Sequence, residues 1–321
     1  MSEAVREILE KYEVRKTEKQ KGAFIEYALG FAERNGYSAK VEENKKGVKN
    51  IVVGNPEKAK VIYTAHYDTC PRLPFPNFIT PKNVFIYILY QIFLTVFLIG
   101  IPTLAAIGIG ALLSTLGVDE YVVSIVKIWT EYIGIIALLY LMMKGPANPH
   151  TANDNTSGVS TLISIMETLP ENLRENVAFI FFDLEEVGLV GSSAYYRAHK
   201  SKMQDKLLLN FDCVSDGKTI LFAIKKNAAE YLDVLKASFE KTDSFTPDFS
   251  TKGVFYPSDQ AKFPMGVGVA ALKKSKRGTL YMDRIHTAKD TVFDEENIAY
   301  LTHGAVKLVE FISKNEQTKS D

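Results

Sequence analysis

The sequence predicts an α/β fold in which a mainly parallel mixed sheet is covered by helices on both faces. Short apolar runs typical of buried strands alternate with stretches of helical length and pattern. Polar residues follow several of these strands directly, as expected for a site at the strand ends. An apolar stretch from residue 84 to 143 interrupts the pattern and predicts an inserted helical hairpin.

The predicted elements follow one another in a simple order. A helix that stops at a glycine covers residues 18 to 36, and NIVVG and AKVIYTA are two strands on either side of the turn NPEK. After the insert, the predicted elements are SGVSTLISIMETLP (helix), VAFIFFD (strand), GLVGSSAYYRAHK (helix), KLLLNFD (strand), VGVAAL (strand) and a closing helix from about Glu295 to Lys314. Such alternation favours parallel strands with their carboxyl ends at one edge.

Length and composition exclude some classes of protein. The 321 residues, 46% of them hydrophobic, are enough for one substantial core, or for a core plus a small appendage, so we expect one main domain. Lys+Arg and Asp+Glu are equal at 38 each, so no net positive field attracts nucleic acid. The basic cluster KKSKR at 273 to 277 is interpreted as a solvated turn.

The amino-terminal segment and the cysteines indicate a reducing compartment. The first 22 residues are charged throughout and lack the apolar centre of a secretory signal, so we expect the catalytic part to face the cytoplasm. Cys70 and Cys213 form no close pair. Each follows an acidic residue closely, which leaves two interpretations: small buried thiols, or thiols whose oxidation matters.

A histidine and an aspartate leave the end of the second predicted strand together. In VIYTAHYDTC, His66 and Asp68 are two residues apart, so an extended backbone sends both side chains to the same side. A metal-binding histidine is commonly oriented by such an acid. The alternative is a polar pair that closes a buried strand.

Further acidic residues and a histidine follow the later elements. Asp154 lies in the polar loop TANDNTSG before a helix, while Glu185 and Glu186 follow VAFIFFD. Asp212 ends LLLNFD, and His286 lies in DRIHTAKDT before the closing helix. Each has an ordinary structural explanation alone, as a loop acid, an exposed acidic turn or a structural histidine. Together with the first pair they supply two histidines and several acids at one sheet edge, which is what metal-assisted peptide hydrolysis needs.

These motifs resemble a known family of enzymes. AHYDT, ANDNTSG, FFDLEEVGLVGS, NFDCVSDG, YPSDQAKF and IHTAKDT are similar, in this order, to the two-zinc aminopeptidases of the aminopeptidase Y type. That family also includes plasma glutamate carboxypeptidase and glutaminyl cyclase. The resemblance extends from about residue 18 to the end, apart from the insert, and implies a zinc aminopeptidase/phosphorylase-like fold.

The resemblance implies a site with two Zn²⁺ ions, although other divalent metals are possible. One zinc would be held by His66, Asp154 and Asp212. The other would be held by Asp154, Glu186 and His286, with Asp154 as the bridge. A peptide is the implied substrate, and the implied reaction is release of its amino-terminal residues by a water that bridges the two ions.

The resemblance assigns two further roles and shows one departure. Asp68 would orient the first histidine, and Glu185 would be the general base. Tyr256 is a candidate donor to the oxyanion, with plain packing as the alternative. Position 260 is Gln where the family often has His, so the fine structure of the pocket is left open.

Three other functions remain open. In the pattern typical of glutaminyl cyclases, a tryptophan directly precedes the last histidine. This chain has Ile285 at that position. A carboxypeptidase or N-acyl deacylase usually carries a dimerisation domain, for which residues 187 to 285 are too short. A catalytically dead receptor or scaffold would have lost ligands or the base.

The insert predicts attachment to a membrane. Residues 84 to 117 contain no charged side chain, and 121 to 143 contain only Lys127 and Glu131, which could pair across one helical turn. Lysines at 82 and 144 flank the insert, so the positive-inside rule puts both ends in the cytoplasm. We therefore expect a catalytic domain of residues 1–83 and 144–321 and a membrane-associated hairpin of 84–143. The alternative is a soluble cytoplasmic enzyme whose hairpin is a lid or a dimer contact; the oligomeric state stays open.

Overall fold

The computed structural model describes the backbone of residues 1–320 and the side chains of residues 1–314. It has nine strands: β1 (Ala39–Glu43), β2 (Lys49–Gly54), β3 (Val61–His66), β4 (Val177–Phe182), β5 (Leu207–Phe211), β6 (Thr219–Ile224), β7 (Thr246–Ser250), β8 (Gly266–Lys274) and β9 (Leu280–Tyr281). The α-helices are α1 (Glu3–Lys11), α2 (Glu18–Arg34), α3 (Val84–Thr115), α4 (Glu120–Lys144), α5 (Gly158–Thr168), α6 (Val190–His199), α7 (Leu232–Ser238) and α8 (Glu295–Ser320).

All nine strands belong to one mixed sheet in the order β1-β2-β4-β3-β5-β8-β6-β7, with β9 added to β8. The central strands β4, β3, β5 and β8 are parallel. Of the strands beyond them, β1 pairs with β2, β2 with β4 and β6 with β8 in antiparallel fashion, whereas β7 is parallel to β6. The predicted mixed sheet is therefore confirmed, but its parallel pairings are limited to the centre and to the β6–β7 pair. β4 also lies between β2 and β3, which the chain connects by a short turn.

Helices cover both faces because the central strands are apolar on both sides. Tyr63 of β3 lies in a core formed with α1, α2, α5, α7 and α8, and its hydroxyl donates to the Ala305 carbonyl at 2.7 Å. Ile62, its neighbour, lies in a second core on the other face, together with Tyr195 of α6. This alternation is that of a strand buried on both faces. Because β3, β4 and β5 are parallel, their carboxyl ends meet at one edge of the sheet.

The apolar insert forms two helices joined by a short connection around Gly117. α3 continues through Pro102, and Gly134 of α4 lets the helices approach there, since a Cβ at Gly134 would lie 2.8 Å from the proline Cβ. The most apolar 18-residue stretches of α3 and α4 are 0% and 6% buried. Both helices thus lie outside the core of the protein. By length and composition alone, both are long and apolar enough to cross a membrane.

The possible pairing of Lys127 with Glu131 is not among the ion pairs of the described side chains. The Glu131 carboxylate instead accepts a hydrogen bond of 3.0 Å from the Thr103 hydroxyl on the other helix. The aliphatic part of the lysine packs against Gly110, where an added Cβ would lie 2.6 Å from the lysine Cδ. Lys127 and Glu131 therefore each contact α3.

Candidate metal centre

The five predicted metal ligands meet at the carboxyl edge of the central strands. His66 is the last residue of β3, and Asp212 directly follows β5. Glu186 belongs to the turn after β4, while Asp154 and His286 come from loops that precede α5 and α8. The parallel register of β3, β4 and β5 brings the strand ends level, which explains why residues far apart in sequence converge.

His66 faces two of these carboxylates with one ring nitrogen. Its Nε2 atom lies 3.3 Å from Asp154 Oδ1 and 3.5 Å from Asp212 Oδ1. Its Nδ1 atom lies 3.0 Å from the backbone carbonyl oxygen of Asp68. Because a carbonyl can only accept, Nδ1 carries the hydrogen and Nε2 is directed to the carboxylates for a proton or a cation.

His286 makes the second set of contacts. Its Nε2 atom lies 3.2 Å from Asp154 Oδ2 and 3.3 Å from Glu186 Oε2. The two oxygens of Asp154 are therefore directed to different imidazoles, one to each histidine. This residue lies at the centre of the cluster.

The spacing of these atoms fits metal ligands. Two ligand atoms of one tetrahedral zinc ion, with bonds of about 2.0 to 2.2 Å, lie roughly 3.3 to 3.6 Å apart. The four contacts that involve the imidazoles fall between 3.2 and 3.5 Å. In addition, Glu186 Oε1 is buried without a hydrogen-bond partner among the described residues. Oxygen and imidazole donors of this kind suit zinc and other divalent ions.

The charges of the cluster also fit a set of metal ligands. Burial alone would lower the pKa of His66, but the nearby Glu185 carboxylate and three further acidic neighbours raise it well above its ordinary value. Burial raises the pKa of Glu185 and of Glu186 well above the usual range, and neighbouring carboxylates add to both shifts. Burial opposes ionisation of Asp154, but the two imidazoles hold its pKa below the usual range. A bound cation would balance the carboxylates and displace these protons.

Asp68 contacts His66 through two groups. Its backbone carbonyl oxygen lies 3.0 Å from Nδ1, and its carboxylate oxygen Oδ1 lies 3.6 Å from the same nitrogen. The carboxylate accepts hydrogen bonds from the backbone N–H groups of Glu185, at 2.9 Å, and Glu186, at 3.2 Å. Asp68 thus fixes the turn that carries both glutamates. Leu184, just before this turn, has a φ of 55°, in the left-handed region that few non-glycine residues adopt.

The sequence reasoning missed the residues that hold the Asp154 loop. The Asp290 carboxylate accepts from the backbone N–H groups of Asn153, at 3.1 Å, and Asp154, at 3.0 Å. The side chain of Asn155 donates to the Phe211 carbonyl at 3.0 Å, which joins the loop to the end of β5. Asp290 lies within the motif IHTAKDT, so the motif indicated that this residue is near the site. The motif did not indicate that its carboxylate holds the backbone of the Asp154 loop.

A buried arginine was also missed. Arg15 is 0% exposed, and its guanidinium donates to the Tyr67 carbonyl at 2.6 Å and to the Thr156 hydroxyl at 3.1 Å. It therefore joins the end of β3 to the Asp154 loop from behind. A basic residue in the charged segment EVRKTEKQK gives no signal of burial, so sequence could not single it out.

Two residues of the YPSDQAKF motif have structural contacts. The Tyr256 hydroxyl donates to the backbone carbonyl of Asp212 at 3.0 Å, so it is engaged with the residue that follows β5. Gln260 accepts from the Asn210 side chain at 3.2 Å and donates to the Tyr256 carbonyl at 2.8 Å. The glutamine at this departure from the family pattern thus fixes the tyrosine.

Comparison with known proteins identifies the family. The sequence profile of peptidase family M28 matches residues 140–309, more than half of the chain. The chain belongs to peptidase family M28. The matched part of this M28 chain includes Asp154, Glu185, Glu186, Asp212 and His286. His66 and Asp68 precede it, and it is the sheet that brings them to the same edge.

Solved structures share the fold of this M28 chain at low sequence identity. Glutaminyl cyclase of Porphyromonas gingivalis has a TM-score of 0.57 at 13% identity, covering 96% of each chain. A Zn-dependent exopeptidase of Parabacteroides distasonis has a TM-score of 0.56 at 14% identity, covering 95% of this chain and 96% of that one. The LapA aminopeptidase of Legionella pneumophila has a TM-score of 0.53 at 14% identity, covering 95% of this chain and 67% of that one. At these identities the likeness concerns the fold alone.

The remaining histidines lie away from the cluster. His150 is exposed, with Nδ1 3.8 Å from Glu13. His199 ends α6 and lies 2.8 Å from the Glu42 carboxylate. His303 is exposed on α8.

Proposed function

We propose that this M28 chain is a zinc-dependent hydrolase that releases amino-terminal residues from peptides, with a site of the aminopeptidase Y type. The observation that carries the proposal is Asp154, whose two carboxylate oxygens lie 3.3 Å and 3.2 Å from different imidazoles. A carboxylate in this position suits a bridge between two ions. Membership of a peptidase family supports the same reaction class.

The proposed ligands form two sets that share one carboxylate. His66 and Asp212 complete one set with Asp154, and Glu186 and His286 complete the other. Zinc, when bound, supplies a Lewis acid that polarises a carbonyl and makes water acidic at neutral pH. The hydrogen bond from His66 Nδ1 to the Asp68 carbonyl keeps the other ring nitrogen free as a ligand.

Glu185 is the proposed general base. Burial first, and then neighbouring carboxylates, raise the pKa of Glu185 above its ordinary value, which makes the carboxylate a stronger base than an exposed glutamate. In the proposed reaction a carboxylate oxygen of Glu185 accepts a proton from the attacking water and passes it to the nitrogen of the departing amine. The Asp68 carboxylate would hold the backbone of Glu185 in place for both transfers.

A substrate panel tests this function. We expect a peptide with a free amino terminus to lose residues one at a time, and a chelator to abolish the loss until zinc is restored. Equal cleavage of the acetylated peptide would favour a deacylase or endopeptidase. Loss of ammonia from an amino-terminal glutamine, without chain shortening, would favour a glutaminyl cyclase. Zinc binding without turnover of any of these peptides would favour a scaffold.

We further propose that α3 and α4 anchor the enzyme in a membrane, with the catalytic domain in the cytoplasm. Their 32 and 25 residues correspond to about 48 and 38 Å of helix, more than the roughly 30 Å of hydrocarbon in a bilayer. Lys82 and Lys144 lie at the base, as the positive-inside rule requires for this orientation. The alternative is a lid or dimer contact on a soluble enzyme.

The hairpin base adjoins the proposed site through the segment 71–79. The Leu73 N–H donates to the His286 carbonyl at 2.8 Å, and Tyr90 of α3 donates to the Pro76 carbonyl at 2.6 Å. A cavity of about 410 Å³ lies between this segment and the helices, lined by residues that include Phe75 and Leu94. Apolar peptides that approach along the membrane would meet this surface first.

A further inference from the structure

A thiol lies beside the proposed second metal site. Potential ligand atoms of Cys70, Glu186 and His286 all lie within 4.8 Å of one another. Cys70 is fully buried, and the Asn148 amide nitrogen lies 3.8 Å from its Sγ atom. A weak contact of this kind leaves the sulfur available to a stronger partner.

The Glu186 carboxylate gives independent evidence of a missing partner. Its side chain is 5% exposed, and Oε2 lies 3.3 Å from His286 Nε2. Its other oxygen, Oε1, is buried without a hydrogen-bond partner among the described residues. Buried carboxylate oxygens are normally satisfied by a donor or a cation.

The backbone holds Cys70 and His286 in a fixed relation. Asn148 donates its backbone N–H to the Cys70 carbonyl at 3.1 Å and its side-chain amide to the Thr287 carbonyl at 2.9 Å. The Leu73 N–H donates to the His286 carbonyl at 2.8 Å. These hydrogen bonds fix the backbone of Cys70 relative to that of His286. The thiol therefore lies beside the imidazole because the backbone holds it there.

We propose that Cys70 is a thiolate ligand of the ion that Glu186 and His286 hold. The inference rests on the proposed metal site and adds a sulfur donor to it. On binding, the thiol loses its proton to solvent and the sulfur forms a bond to the divalent ion, with no change in oxidation state. A thiolate makes this position favour zinc, cobalt and cadmium over magnesium or manganese, because sulfur is a soft ligand.

Cobalt spectroscopy tests the proposal on the full-length protein in detergent. The chain has two cysteines, so a thiolate-to-cobalt charge-transfer band in the near ultraviolet arises from Cys70 or Cys213. We expect the Co²⁺-loaded protein to show the band, Cys70→Ser to lose it, and Cys213→Ser to keep it. Cys213 is a matched control because it is also buried and lies beside Asp212, one of the other proposed ligands.

The outcomes separate this inference from the proposed function. Two bound cobalt ions per chain without the band would overturn the role of Cys70 and leave the proposed metal site intact. A band that disappears only in Cys213→Ser would also overturn it. Failure of the protein to bind cobalt or zinc at all would overturn the proposed function and this inference together. If Cys70→Ser does not fold, the spectrum of Cys213→Ser alone decides, since its only sulfur from cysteine is at position 70.

Discussion

The Asp68 carboxylate is hydrogen-bonded to the backbone N–H of Glu185, with Oδ1 2.9 Å from the nitrogen. The same aspartate contacts the first histidine of the cluster through its backbone carbonyl. One residue therefore fixes both a proposed ligand and the proposed base. The carboxylate holds the turn after β4, and its Oδ1 atom also lies 3.6 Å from Nδ1 of the imidazole.

Replacing Asp68 should weaken catalysis without unfolding the protein. Asp68→Asn keeps one acceptor oxygen but loses the charge that strengthens both hydrogen bonds to the turn. We expect kcat/KM to fall about 10- to 100-fold, as is typical when a group that orients a metal ligand is changed. Steady-state kinetics would measure this, with Asp233→Asn on the surface of α7 as the control. An Asn variant with the parent kinetics would contradict the role.

The second proposed ligand set depends on His286. Because this imidazole contacts both Asp154 and Glu186, His286→Ala should remove one of two zinc ions and leave the other. Elemental analysis of the purified protein gives the stoichiometry, and the exposed His303→Ala provides the matched control. Two zinc ions retained in His286→Ala would show that the ligand assignment is wrong.

Because of Asp259, the free energy of unfolding of the metal-free protein should fall as the pH rises. Asp259 is 0% exposed, and burial raises its pKa from 3.8 to about 7. The unfolded chain releases this proton near the ordinary value while the folded protein keeps it. Folding therefore takes up a proton between these pH values, and the free energy of unfolding falls as the pH rises through that window.

Asp259→Asn removes this titration and nearly preserves the shape of the side chain. Between pH 4 and 7, the unfolding free energy of the parent should fall by up to about 4 kcal/mol more than that of the variant. Chemical denaturation in the presence of a chelator measures both slopes. Equal slopes for the parent and Asp259→Asn would exclude a buried, ionising Asp259.

The hairpin of α3 and α4 should determine whether the protein is found in the membrane fraction or in the cytosolic fraction. Full-length protein is expected in the membrane fraction and to need detergent for extraction, since the most apolar 18-residue stretches of α3 and α4 are only 0% and 6% buried. A variant in which a short Gly/Ser linker replaces residues 84 to 143 should be soluble and keep its zinc. Monomeric full-length protein in the cytosolic fraction without detergent would contradict membrane anchoring.

The centre of the fold and the candidate ligands could be predicted because both leave strong local signals. Strands such as VAFIFF are apolar throughout, and the proposed ligands stand in or after such runs, where a polar residue is conspicuous. The edge strands gave no comparable signal. In β1, Lys40 and Glu43 are exposed, so AKVEE looks like a surface loop.

Long-range pairing and the supports of the site could not be predicted. The position of β4 between β2 and β3 depends on contacts between residues more than a hundred positions apart, which no local pattern encodes. The same is true of Arg15 and Asp290, whose hydrogen bonds go to backbone groups in distant loops. Sequence shows the residue type but not the carbonyl or N–H that it will meet.

Turnover of Glu185→Gln at full zinc occupancy tests the central claim most directly. The amide has nearly the same shape as the carboxylate but cannot take up the proton of the attacking water. We predict that the variant keeps the zinc content of the parent and that kcat falls by about 10² to 10⁴. Hydrolysis at the parent rate, with the same zinc content, would contradict the assignment of Glu185 as the general base.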